Sequence, residues 1–294
     1  MSASAPPNRL TTAIGTLVSY DSDLREKRRK TIFGCIIVAI LFVLSGWIAE
    51  AQPDVLIDKA GAFFNYIGDI LHLDSGDLVF EAPGEWFWGL RRWLLSLGET
   101  LLMAYAGTFL GTFAAFALCF FATDNFCVSR LGKFCTLRFL EFARTVPDLV
   151  FALIFVIAFG LGPIPGVLAI AIHTMGALGK LFAEVVENID PKPVEGIAAA
   201  GGSRLAQIRY GALPQVLSNF VSYALLRFEV NVRSAAVLGF VGAGGIGFTL
   251  LIAIRKFYNS DVSAILLMII VTVMLIDYGT EKVRHRLIGR EKHA

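Results

Sequence analysis

The chain has 294 residues, 56% hydrophobic and 17% charged, with 24 Phe, only 4 His and a formal net charge of +2. Soluble globular chains carry about 25% charged residues. The apolar excess, gathered into long runs, excludes a secreted disulfide scaffold, a disordered chain and a free cytoplasmic enzyme, and points to an all-α polytopic membrane protein in contact with lipid.

The near-neutral balance gives no reason to expect nucleic acid as a partner. Cys35 and Cys119 fall in apolar runs, and Cys127 and Cys135 lie eight residues apart without nearby histidines. That is not zinc spacing, so all four read as ordinary thiols and no metal is expected.

In chain order, residues 1–30 form a polar cytoplasmic tail with no small-residue cleavage site of a secretion leader. The first span, 31–49, follows directly on Arg25, Lys27, Arg28, Arg29 and Lys30, which hold that end inside. Segment 50–92 has eight acids and three basic residues and is placed outside, in the periplasm. Phe63, Phe64, Ile67, Ile70 and Leu71 give it one apolar helical face. Trp47, Trp86, Trp88 and Trp93 read as interface anchors.

The remaining core, 93–281, begins with a span over 96–122, where Glu99 reaches headgroups or water near the outer end. Thr108, Gly111, Thr112, Ala115 and Ala122 form a small-residue stripe suited to close helix packing. Residues 123–144 are more basic than acidic and form an inner loop. The uncharged run 149–179 is 31 residues long, too many for one pass, since about 20 suffice. Gly160 to Gly166 breaks it into spans over 145–161 and 164–181.

An inner polar loop, 182–211, precedes a fifth span at 212–232 that carries Arg227 and Glu229 near its outer end. The uncharged stretch 234–254 holds five glycines, at 239, 242, 244, 245 and 247, which argues against a plain helix. If it dips in and returns, the final span at 261–280 leaves the basic tail 282–294 inside. The expected architecture is therefore six transmembrane helices, both termini cytoplasmic, with a glycine-rich re-entrant segment before the last. Irregular backbone at that depth has to be covered by protein or line a cavity.

The inner loop reads Glu195-Gly196-Ile197-Ala198-Ala199-Ala200-Gly201-Gly202 and closes with Leu213-Pro214. It describes a small-residue helix, a glycine turn and a second helix entering the membrane. It resembles the coupling loop of ABC importer permeases, with Glu195, Gly201 and Leu213-Pro214 matching and Gly196, Ile197 and Gly211 departing from the pattern. Arg144-Thr145-Val146-Pro147-Asp148, the Gly160 to Gly166 turn, His173-Thr174, Gly179 to Glu184, Arg227 to Arg233 and Gly239 to Gly247 extend the likeness to the phosphonate importer permease over roughly residues 90–285.

The resemblance implies a type I ABC importer permease fold and a cell inner membrane location. It also implies a homodimer with the path for phosphonate anions between two copies. Two cytoplasmic ATP-binding subunits, which hold ATP and magnesium, would dock on Glu195, Gly196, Ala198, Ala199, Gly201 and Gly202. A periplasmic phosphonate-binding protein would deliver the substrate. The chain has no phosphate loop ending in Gly-Lys-Ser/Thr, so it is expected to hold no cofactor and perform no enzymatic chemistry.

Candidate path residues are His173, Arg227, Glu229, Arg233, Gly242, Gly244 and Gly245. A phosphonate dianion suits an arginine fork, while Arg227 and Glu229 also suit a structural ion pair. His173 suits either path contact or an interhelical hydrogen bond. Glu141 with Arg144, and Lys180 with Glu184 and Glu187, are spaced to pair along helix faces. Phosphite, phosphate esters or methionine are alternative cargoes on the same architecture. A secondary transporter would show repeated halves, which are not seen. A membrane enzyme built on His173 lacks a nucleophile motif.

Overall fold

The computed structural model describes residues 9–48, 53–73, 75–127 and 129–291, with side chains described over 26–48, 55, 58–73, 75–127 and 129–286. The start of the expected N-terminal tail, 1–8, and the last residues of the basic tail, 292–294, lie outside the described residues. The chain divides into two units, Met1–Asn65 and Tyr66–Ala294.

In the first unit, α1 spans Arg9–Ile48. No proline interrupts it, and its part Glu26–Ile48 is long and apolar enough to cross a membrane. The helix thus begins well before Thr31, and the basic cluster rides on it; Lys30 pairs with Glu26 one turn earlier at 2.8 Å. Helix α2, Pro53–Asp69, starts on a proline, which needs no intrahelical N–H partner at that position.

The second unit opens with a tight turn bridging His72 and Leu78. It carries Leu73 and Val79 into a core with Trp86 and Trp93. Trp86, on α3 (Pro83–Trp86), is 6% exposed and donates to Ser263, and Trp93 is 2% exposed. These two tryptophans are core residues and not the interface anchors expected, because the turn folds over them. Trp88 remains exposed and donates to Asp261.

Helices α4 (Leu90–Ala122) and α7 (Pro163–Glu187) form the central pair. Gly107 faces Val167 and Ile170, and Gly111 faces Ala171 and Thr174. A Cβ on Gly111 would sit 2.6 Å from the Ala171 carbonyl oxygen. Four of the five expected stripe residues, Thr108, Gly111, Ala115 and Ala122, are buried on the packing face, which Gly107 and Cys119 extend. Thr112 is half-buried and lines a groove against α10. Residue numbers rise together across the packing face, so α4 and α7 run parallel.

Between them lie α5 (Arg130–Thr145) and α6 (Asp148–Phe159), bent by 88°. The inner loop expected over 123–144 is therefore largely helix, started by Ser129, whose hydroxyl accepts from the Gly132 N–H. Pro147 makes the elbow: it lacks an N–H and drives Val146 out of the helical region, to ψ 123°. Twelve residues of α6 reach about 18 Å, too short to cross alone, and only together do α5 and α6 have the length and apolar composition of one pass.

After α7 come α8 (Pro191–Ala199), α9 (Arg204–Ala206) and a π-helical turn, Gln207–Ala212, that runs into α10 (Leu213–Leu238). A 3₁₀ turn at Gly239–Val241 leads to α11 (Gly245–Arg255) and α12 (Asn259–Glu291). The glycine-rich segment before the last span is a bend of 46°. Gln215 meets Asp190 while Arg227 meets His173, so α10 is antiparallel to α7. Ile246 meets Thr100 and Thr249 meets Ser96, so α11 is antiparallel to α4 and keeps the direction of α10.

Among the described residues, four single helices are long and apolar enough to cross a membrane, and the two bent pairs raise the count to six.

Candidate functional site

Three helices contribute polar side chains where each is near the middle of its length. Asn231 of α10, 1% exposed, donates to Thr108 of α4 and Thr174 of α7, both at 2.8 Å. The Thr108 hydroxyl in turn donates to the Ala104 carbonyl at 2.6 Å. Buried polar groups at this depth need partners, and this knot supplies them.

One turn before Asn231, the half-buried Arg227 donates to His173 Nδ1 and, at 3.5 Å, to the Thr174 hydroxyl. A guanidinium can only donate, so Nδ1 is an acceptor and His173 is neutral with its proton on Nε2. That Nε2–H points at the Arg144 carbonyl, 3.1 Å away, at the end of α5 beside the Pro147 elbow. His173 thus makes the interhelical bond that was one of its two expected roles. Among the described residues Arg227 forms no ion pair.

Glu229 and Arg227 are two positions apart, about 200° around a helix, and do not meet. The expected alternative of an Arg227–Glu229 pair is corrected: Glu229 pairs with Arg233 at 3.2 Å, and Arg233 also reaches Asp277 of α12 at 3.1 Å. Thr280 donates to Glu229 at 3.4 Å, and Asp277 Oδ1 is buried without a hydrogen bond. Two carboxylates hold Arg233, so its charge is neutralised locally.

The expected placement of Arg227 near the outer end of its span is also corrected. The helix runs on to Leu238, because the glycines begin only at 239, which leaves Arg227 about 16 Å along the axis from that end. Gly242, Gly244 and Gly245 are therefore not brought together with it. They have φ of 92°, 80° and 71°, and Gly242 and Gly245 are buried. A Cβ on Gly242 would stand 2.3 Å from Leu161, and its carbonyl accepts from the Gly162 N–H. Glu99 is not a headgroup contact: it accepts the Gly245 N–H at 3.3 Å, and Thr100 accepts that of Ile246 at 2.8 Å. Together they cap α11.

The hairpin 188–215 forms a second candidate region. Asp190 caps α8 by accepting the Lys192 N–H at 3.1 Å. Glu195, Gly196, Ala198, Ala199 and Gly201 are exposed, Gly202 is half-buried, and none of the α8 residues is buried. Gly201 has φ 81°, closing the helix with its N–H on the Ala198 carbonyl. Gly211 has a physical role as well: a Cβ there would sit 3.0 Å from Val194, so its absence lets α8 lie on the π-helical turn.

Gln215 joins this hairpin to α10. Its Oε1 accepts the Asp190 N–H at 3.0 Å, and its Nε2 donates to the Asp190 carbonyl at 3.2 Å and the Gly211 carbonyl at 2.7 Å. Neither Gln215, Asn231 nor Thr174 was singled out from the sequence as a site residue; the signal was an amide or hydroxyl inside an apolar run. The expected partners change: Glu141 pairs along its own helix with Arg138 in place of Arg144, and the other contacts join α5 to α7. Glu141 takes Arg138 at 2.6 Å and Lys180 at 3.6 Å, and Glu187 takes Lys133 at 3.1 Å.

A family model described as the binding-protein-dependent transport system inner membrane component matches residues 107–281. The chain is similar to the phosphite transport system permease protein PtxC of Stutzerimonas stutzeri, 40% identical over 68% of this chain and 73% of that protein. The putative phosphite transport system permease protein HtxC of the same organism is 37% identical over 90% of each. The putative cryptic phosphonate transport system permease protein PhnE2 of Escherichia coli K12 is 54% identical over 41% of this chain and 99% of its own length.

Among solved structures, the inward-facing MetNI methionine ABC transporter superposes with a TM-score of 0.59, at 19% identity over 68% of this chain and 96% of that one. A bacterial ABC transporter involved in the import of the acidic polysaccharide alginate gives 0.58, at 12% identity over 82% and 96%. At these identities the likeness is one of fold.

Proposed function

The chain belongs to the family of binding-protein-dependent transport system inner membrane components, and from that premise we propose that it forms the path for a small phosphorus oxyanion, with phosphite ahead of organophosphonate. It is a multi-pass inner-membrane transport subunit with the fold of a type I ABC importer permease and no catalytic chemistry of its own.

The observation that carries the cargo reading is Arg227, a guanidinium midway along a membrane-crossing helix, held by a neutral imidazole and a hydroxyl with no carboxylate in ion-pair contact. Such a charge is costly in a membrane interior unless it faces a partner or a water-filled path. An oxyanion with several equivalent oxygens matches its planar fork. The phosphite-permease relatives span most of this chain, which favours phosphite. The 54% identity to a phosphonate permease over a shorter stretch supports organophosphonate as the second reading.

The working assembly on this reading is a homodimer with two ATP-binding subunits and a periplasmic binding protein. The exposed face of α8 docks an ATP-binding subunit at Glu195 and the Ala198 to Gly202 stretch. Five basic residues after residue 281 and a six-pass count support cytoplasmic termini, with the hairpin on the same side. Each copy contributes one Arg227, so two guanidiniums stand on a path that attracts the anion without holding it deeply. The test is ATP-driven uptake by the reconstituted assembly, with labelled phosphite competed by methylphosphonate, phosphate and methionine. Competition by the phosphorus anions and not by methionine is expected; competition by methionine alone would reject the reading.

A further inference from the structure

Helix α10 carries grooves of opposite character on opposite faces. One, of about 480 Å³, is closed by Leu217, Val221 and Leu225 against Phe109, Phe113 and Phe116 of α4. The other, of about 410 Å³, lies between α10 and the C-terminal half of α7 and is lined by Gln215, Asn219 and Tyr223 with Glu184, Asn188 and Asp190. Residues four apart advance about 40° beyond a full turn, so Gln215, Asn219, Tyr223 and Arg227 climb one slowly winding stripe. Asn188, just past the end of α7, and then Glu184, Lys180 and His173 follow the matching stripe, with Lys180 engaged by Glu141 of α5. The groove itself runs from the hairpin to Tyr223, and on α10 the His173–Arg227 contact lies one turn beyond it.

A polar stripe of this length does not face hydrocarbon, whereas the opposite groove is built to. We infer that the α7–α10 seam is the half of the anion path between Arg227 and the hairpin end, the route by which the oxyanion leaves. This rests on the cargo reading above and adds the exit and its chemistry. Glu184 and Asp190 stand at the mouth, and no Lys or Arg lines the groove. A negative mouth behind a positive midpoint keeps the anion from lodging at the exit. Arg227, which unlike Lys180 has no ion-pair partner among the described residues, is therefore its main cationic contact on this half, and release is fast.

The test uses the full assembly in vesicles with the hairpin end outward, after replacing Cys35, Cys119, Cys127 and Cys135 by Ser. Single Asn219→Cys, Tyr223→Cys and Val221→Cys variants are treated with a negatively charged thiosulfonate. A thiol in the apolar groove ionises less readily, so Asn219→Cys and Tyr223→Cys should react at least about tenfold faster than Val221→Cys. Adding Glu184→Gln should speed the charged reagent at Asn219→Cys and leave a neutral thiosulfonate unchanged. Equal rates on the two faces in variants that still transport, or no effect of Glu184→Gln on the charged reagent, would overturn the seam. Fast modification that neither phosphite nor methylphosphonate slows would uphold the seam and reject the phosphorus cargo.

Discussion

His173 on α7 accepts a hydrogen bond from the Arg227 guanidinium on α10 through Nδ1 and faces the Arg144 carbonyl at the α5 elbow through Nε2. One imidazole thus fixes the direction of a mid-membrane charge and ties it to the bend at Pro147. Its role is positioning, which sets it apart from a residue that only fills space.

His173→Ala should therefore lower the maximal uptake rate with little change in protein yield. The double variant with Arg227→Gln should be no slower than the worse single variant, a coupling of about 0.5–3 kcal/mol in a double-mutant cycle. His173→Gln, which offers an acceptor and a donor, should recover part of the rate. Additive losses in the cycle would reduce His173 to a packing residue.

Gln215 holds both backbone groups of Asp190, the cap of α8, to the start of α10. Gln215→Glu removes the donor to two carbonyls and should loosen the hairpin from the helix that bears Arg227. The expected outcome is ATP hydrolysis that continues while anions moved per ATP fall. Parallel loss of hydrolysis and uptake would assign Gln215 to assembly alone.

Gly201 has φ 81°, and a Cβ there meets no heavy atom within 4 Å. Substitution strains the backbone without a clash, so Gly201→Ala should cost the hairpin about 1–2 kcal/mol. Gly201→Trp should insert normally in the membrane yet bind the ATP-binding subunit weakly. Pull-down and hydrolysis assays at normal levels for the Trp variant would remove the turn from the docking surface.

Gly111 is a different case. Its Cβ position is filled by the Ala171 carbonyl and the Thr174 side chain. Gly111→Val should separate α4 from α7 and disturb the Thr108–Asn231–Thr174 knot, lowering thermal stability by about 1–3 kcal/mol or more. A melting temperature equal to the parent chain would contradict the packing described.

Much of this architecture was legible in the sequence because apolar runs and basic clusters report directly on membrane passes. The small-residue stripe of α4 and the helix-turn-helix of the hairpin follow from local spacing alone. The sequence places the start of the third span at 145, since helix α5 is polar enough to resemble a loop. The end of α10 was set too early by its charges, so Arg227 was placed too far out. Arg227 and His173 are 54 positions apart, and only the antiparallel packing of α7 and α10 brings them together. Glu99 was assigned to water because nothing local to it shows that the start of α11 lies beside it.

The most direct measurement is ATP-driven phosphite uptake by the reconstituted assembly carrying Arg227→Gln, scored beside stimulated ATP hydrolysis, binding-protein docking and thermal stability. Arg227 hydrogen-bonds only neutral groups, and the carboxylate of Asp148 acts on it from beyond ion-pair distance, so its removal breaks no direct ion pair and should cost little stability. The account predicts a stable, docking-competent variant whose uptake falls about tenfold or more, the loss of a charge-assisted hydrogen bond of roughly 1.5–3 kcal/mol. A stable variant that takes up phosphite at the parent rate would contradict it.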